Sequence, residues 1–182
     1  MTAQSIKRTY LLALTIFLSF TLNSVAQDGE LISEGQTALG QMFKKAPELQ
    51  EKVNSAYGYA IFPEIKKAGL IIGGAGGKGV VYQGGAVIGE SKMSQASIGA
   101  QLGAQKYMQL ILFKNVEAYD SFTGGKLKFD AQVSAVAIEA DSGSFNTPYK
   151  SGFLIYTMAD GGLMFAATVA GQKFSFEGEE SK

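Results

Sequence analysis

Lys44, Lys45, Lys66, Lys67 and Lys78 are the residues whose type and spacing bear most directly on chemistry. An ε-ammonium is a compact point charge that suits a phosphate group, and each one near an anionic surface contributes on the order of 1 kcal/mol. If several of the five share a face they form an anion-binding surface; otherwise they are scattered, solvated side chains. The acids allow two other chemistries. Glu139 and Asp141 lie two apart on an expected strand and could hold a hard cation. Glu90, Asp130 and Glu139 could supply a carboxylate pair for sugar hydrolysis, but no spacing selects a pair. Tyr57, Tyr59, Phe62, Phe145 and Tyr149 carry rings suited to a membrane interface, with core packing the simpler account of Phe62.

Composition removes most catalytic options. Beyond residue 26 the chain has no His, Cys, Arg or Trp, so triads, thiol chemistry, arginine clamps and imidazole metal sites are excluded. No catalytic residue, metal ligand or cofactor site is expected. Residues 1–26 read as a secretory signal peptide: Lys7 and Arg8, a 12-residue apolar run (LLALTIFLSFTL), then Ser24-Val25-Ala26 as a cleavage site. The apolar run is short for a membrane span. Without cysteine, Gln27 cannot begin a lipoprotein, so any membrane contact must come from the folded part. Export to a periplasm follows as an expectation. Residues 27–182 then carry 14 lysines against 16 acids, a net charge of about −2, which speaks against nucleic acid as a partner.

The elements that must position these residues follow from periodicity. Residues 28–55 are helical: Leu31, Gly35, Ala38, Met42 and Ala46 recur at helix spacing, and Pro47 suits the first position of a second helix through Leu49 and Val53. Residues 57–177 are mainly β. YGYAIF, AGLII and VVY read as separate strands joined by turns and glycines. Residues 94–105 alternate Ala96, Ile98, Ala100, Leu102 and Ala104 with Gln95, Ser97, Gly99, Gln101, Gly103 and Gln105, one strand with an apolar face and a glutamine/glycine face. Residues 106–113 (KYMQLILF) read as a central strand, and Asn115 caps a short helix over 116–122. Residues 126–140 form another strand, 151–159 and 163–170 a hairpin around Asp160-Gly161-Gly162, and 173–177 a last strand. The whole predicts one α+β domain dominated by a curved, antiparallel, barrel-like sheet, with N-terminal amphipathic helices and one short internal helix.

Residues 57–82, YGYAIFPEIKKAGLIIGGAGGKGVVY, hold seven glycines. Gly74-Ala75-Gly76-Gly77-Lys78-Gly79 matches the dinucleotide pattern G-x-G-x-x-G literally, but VVYQGG follows where a helix should receive the pyrophosphate. The glycines read instead as turn residues or as places where strands approach closely. With GESKMSQASIGAQLGAQKYMQLILF after it, this block resembles the SYLF domain family from about residue 39 to the C-terminus. Gly58, Phe62, Pro63, Lys67, Ala68, Gly69, Gly77, Gly79, Gly99 and Gly103 carry the match. Eukaryotic members usually have Trp-Ser-x-Pro where this chain has Ser91-Lys92-Met93-Ser94, so it is similar to the bacterial, exported branch, and actin binding does not carry over.

The resemblance implies a non-catalytic protein of the bacterial envelope that binds lipid at a membrane surface. Anionic phospholipid or another envelope lipid is the expected partner, met by Lys44, Lys45, Lys66, Lys67 and Lys78 together with an apolar edge. The alternative is a structural or interaction module of the periplasm that presents its sheet to an envelope protein.

Overall fold

The computed structural model describes residues 29–69, 72–98, 104–125, 127, 129, 136–137, 148–159 and 171–178. The expected signal peptide, most of the 126–140 strand, the return strand 163–170, and Glu139, Asp141 and Phe145 lie outside the described residues.

Helix α1 (29–45) buries Leu31, Ala38 and Met42 as the spacing predicts, with Leu39 beside them. At Gly35 a Cβ would stand 3.2 Å from the Ile61 side chain, so the missing side chain brings the helix close to the sheet. Pro47, at φ −57°, precedes α2 (Glu48–Ser55), whose Leu49 is fully buried. Burial of Met42 and Leu49 contributes about 1.5–3 kcal/mol each. Ala56 then turns extended, at ψ 149°, and leads into the sheet.

The strands are β1 (Gly58–Gly69), β2 (Ile72–Gln83), β3 (Ala86–Ile98), β4 (Ala104–Phe113), β5 (Val136–Ala137), β6 (Phe153–Ala159) and β7 (Gln172–Gly178). They form one sheet in the order β5-β6-β4-β1-β2-β3-β7. Five of the six neighbouring pairs are antiparallel; β5 pairs parallel with β6, across a connection long enough for such a crossover. Helix α3 (Val116–Thr123) follows β4, and the Asn115 side-chain oxygen accepts a hydrogen bond from the Ala118 N–H at 3.2 Å, the cap expected of it.

The sheet is curved enough that β7 touches strands far from it in the order. The Phe174 ring lies 5.7 Å from Phe62 of β1, 5.0 Å from Phe122 of α3 and 5.3 Å from Phe129. The ladder stays open among the described residues, yet one stretch of chain reaches both edges. Phe129 exchanges backbone hydrogen bonds with Gly171 and Gln172, and Val136 and Ala137 pair with β6. The concave side packs Phe62, Phe113, Phe153 and Phe174 against α3. The convex side packs Ile61, Val80, Leu110 and Tyr156 under α1 and α2. With both faces covered there, residues 110–113 of β4 and 153–156 of β6 read as continuous apolar runs.

Three expectations change. YGYAIF and the residues after Pro63 form one strand, because Pro63 sits in a bulge: β1 shifts register against β2 between Ile61 and Lys66 and against β4 between Phe62 and Ile65. A proline in a central strand is tolerated only at such a place. The glycine block is itself strand β2, and the left-handed glycines, Gly84 and Gly85, lie in the turn after it. At Gly79 a Cβ would come within 2.7 Å of the Ile61 carbonyl, and at Gly77 it would collide with the Glu64 carbonyl. Close approach to the bulge therefore explains these glycines. No helix follows to receive a pyrophosphate. Finally, residues 94–105 are two strands: β3 ends at Ile98 beside β2, whereas Ala104 begins β4 on the far side of β1. Alternation reports faces and is blind to where a chain turns back.

Candidate functional site

The bulge sets the geometry. Ile61 faces α1 and Phe62 faces the concave core; the extra residue then turns Ile65 inward and Lys66 outward. Beyond it, no helix among the described residues covers the convex face. A cross-strand row there reads Lys106, Lys66, Gly76, Ser94, Lys173 across β4, β1, β2, β3 and β7. In the next row Lys78 faces Lys92, which faces Ser175. The face is smooth, since Gly74, Ala68 and Ala96 extend it with little or no side chain.

Where this face meets the start of α1, the bulge opens a cleft of about 450 Å³. Glu30, Leu31 and Glu34 line it from α1, Pro63, Gly76 and Gly77 contribute backbone, and Glu64, Lys66, Lys78 and Glu90 complete the lining. The Glu64 carboxylate is held at 2.9 Å from Lys66 and also by Lys106. Those two hydrogen bonds, Lys106 first, hold its pKa below the usual carboxylate value. Lys92 pairs with Glu177 at 2.6 Å, which raises the lysine pKa and lowers that of the glutamate.

The five lysines singled out from sequence are thus divided. Lys66 and Lys78 line the same cleft. Lys67 is half-buried, its neighbours being Gln105 and Ala75. Lys44 and Lys45 are exposed at the C-terminal end of α1, on the order of 15–20 Å along the helix from Glu30 and Glu34. Lys92, Lys106 and Lys173 join Lys66 and Lys78 on the bare face and were not among the expected residues. Their signal was present in the alternation of charged residues with Met93, Tyr107 and Phe174.

No family model matches the chain. It is similar to Beta cell expansion factor A of Aeromonas veronii. The two are 30% identical over 141 residues, 76% of this chain and 52% of that protein. The chain therefore spans about half the length of this curated relative. Among the described residues no helix is long and apolar enough to cross a membrane, and no group of three or more acidic residues could hold a metal ion.

A second group of residues lay hidden from sequence reasoning, on the concave side. The Gln109 and Gln172 amides, both fully buried, exchange hydrogen bonds at 2.9 and 3.0 Å, and Gln172 also reaches the Tyr107 hydroxyl at 3.5 Å. Burial pushes the Tyr107 pKa up to about 12, against a smaller opposing effect of the Gln172 bond. Thr157 is fully buried beside Gln109, its hydroxyl without a hydrogen-bond partner among the described residues. Gln95 also points inward while Ala96 is exposed, the reverse of the expected apolar and glutamine faces. A glutamine and a threonine inside the apolar runs YMQLILF and FLIYTMA were the available signal.

Proposed function

We propose that this chain is a non-catalytic protein of the bacterial envelope that binds lipid at a membrane surface, as its resemblance to bacterial SYLF proteins suggests. The observation that carries the reading is the bare convex face, where Lys66, Lys78, Lys92, Lys106 and Lys173 stand on five strands with glycine, alanine and serine between them. A face poor in side chains lets ammonium groups on neighbouring strands approach an anionic surface together. Glu64, Glu90 and Glu177 temper its charge and leave it modestly positive. Such a surface attracts anionic bilayers at low ionic strength and releases them as salt screens the charges.

An apolar edge accompanies it at the other end of β1. Tyr57 and Val116 are the exposed large hydrophobics among the described residues, and the Tyr57 ring packs edge-on against Tyr119 at 5.6 Å. Tyrosine at an edge suits the interfacial layer of a membrane. Lys44 and Lys45 remain candidates for a separate electrostatic contact. The similarity to Beta cell expansion factor A is compatible with this reading without naming a ligand.

The test is co-sedimentation of residues 27–182 with neutral and anionic vesicles at low and high salt. Binding that needs anionic lipid and fades with salt supports the proposal. Absence of binding under every condition overturns it and favours the envelope-protein partner instead.

A further inference from the structure

The cleft beside the bare face sets the acids Glu30 and Glu34 of α1 against a sheet side that carries Lys66 and Lys78 together with Glu64 and Glu90. Glu30 and Glu34 stand four residues apart on α1 and so share one side of the helix. Neither has a lysine within 4 Å among the described residues, and two like charges at this spacing repel each other. Across the cleft Lys66 is engaged by Glu64, whereas Lys78 has no carboxylate within 4 Å among the described residues. The floor between them is the bulge and the glycine strand, where Gly76 and Gly77 leave backbone in place of side chains.

The geometry points to a binding site for a zwitterionic phosphoethanolamine group, its phosphate on Lys78 and its primary ammonium between Glu30 and Glu34. A group with several phosphates and no amine would meet the Lys78 ammonium and the two glutamates together, so the cleft discriminates against it. The ammonium is primary because, among the described residues, no aromatic ring lines the cleft. A quaternary ammonium cannot donate hydrogen bonds to carboxylates and depends on aromatic faces instead. As a lipid headgroup, the ligand deepens the membrane reading above and rests on it; as a free phosphoethanolamine, it stands independently. The lysine face would then supply general attraction to the membrane, and the cleft the choice of headgroup.

Two arms of one experiment separate these sources. In the first, NMR titrations of residues 27–182 with O-phosphoethanolamine, phosphocholine and glycerol phosphate should rank phosphoethanolamine first. Lys78→Gln should weaken its binding about fivefold, the scale of an exposed charge pair. Glu34→Gln should weaken phosphoethanolamine by a similar factor while strengthening glycerol phosphate, a reversal that a merely structural role would not produce. In the second arm, vesicles with a fixed anionic fraction carry either phosphatidylethanolamine or phosphatidylcholine as the remainder. Tighter binding to the former, lost in Glu34→Gln, supports the site as a lipid site. Soluble binding with no vesicle binding supports the site and overturns the membrane reading. Vesicle binding that ignores both the neutral headgroup and the two variants, with no preference in solution, overturns the site and leaves the membrane reading standing.

Discussion

The strands β1, β2 and β4 run from a dry end to a wet one, with Pro63 and Glu64 between. At the dry end Ile61, Val80, Leu110 and Tyr156 are sealed under two helices, and Phe113 and Phe153 fill the concave side. At the wet end the convex row is Lys106, Lys66, Gly76, Ser94 and Lys173, and the concave side holds Gln95 and Gln172. Both ends alternate with the same period of two. They differ in what covers the convex face, and side-chain size and charge follow from that. The bulge makes the change of character possible, because one extra residue exchanges the faces of everything after it. Without it, Ile65 would face outward and Lys66 would point into the concave core.

Deleting Pro63 is therefore the largest perturbation available. It should remove the folded state at 25 °C, beyond the ~4–5 kcal/mol that marks exceptional point changes, with loss of cooperative unfolding by circular dichroism. Next comes a direct contrast between the ends. Leu110→Ala should cost about 2–5 kcal/mol in urea unfolding, whereas Lys173→Ala on the bare face should fall within about 0.5 kcal/mol. Equal costs would mean that the two ends are not distinct.

On the concave side, Gln109→Leu should cost about 1–3 kcal/mol by leaving the Gln172 amide buried without its partner, and the double leucine variant should recover most of the loss. Within β2, Gly77→Ala should cost about 1–3 kcal/mol because its Cβ meets the bulge backbone. Gly74→Ala, whose Cβ meets only the Gln95 carbonyl at 3.5 Å, should stay within about 0.5 kcal/mol. The smallest effect concerns Glu64. Its pKa is lowered in the fold, so its contribution is present above the unfolded carboxylate value and is lost as pH falls through the lowered folded one. Being an exposed pair it contributes under about 1 kcal/mol, and Glu64→Gln should flatten that acid limb of the unfolding curve.

Much of the dry end was legible in the sequence. The α1 stripe, the Asn115 cap and the β4 run are local patterns, and local patterns report local structure. The wet end was harder because its meaning depends on partners distant in the chain. Gln95 reads as an outward residue until Gln172, 77 positions later, is placed opposite it in β7. Lys66 and Lys78 meet at one cleft only because the strands carrying them pair in a register set by the bulge. The glycines were recognisable as sites of close approach, but what approached them, the displaced carbonyls around Pro63, could not be read from spacing.

The Gln109 and Gln172 pair works as a tie across an arch. β4 and β7 have three strands between them in the sheet, yet two short hydrogen bonds join them directly through the interior. Spreading the arch would break both bonds together and leave two amides dry, whereas twisting along the strands would strain neither greatly. The sheet is thus stiff against flattening and more compliant in torsion. If it presses its convex face against another surface, it does so as a preformed curve and not as a sheet that spreads to fit.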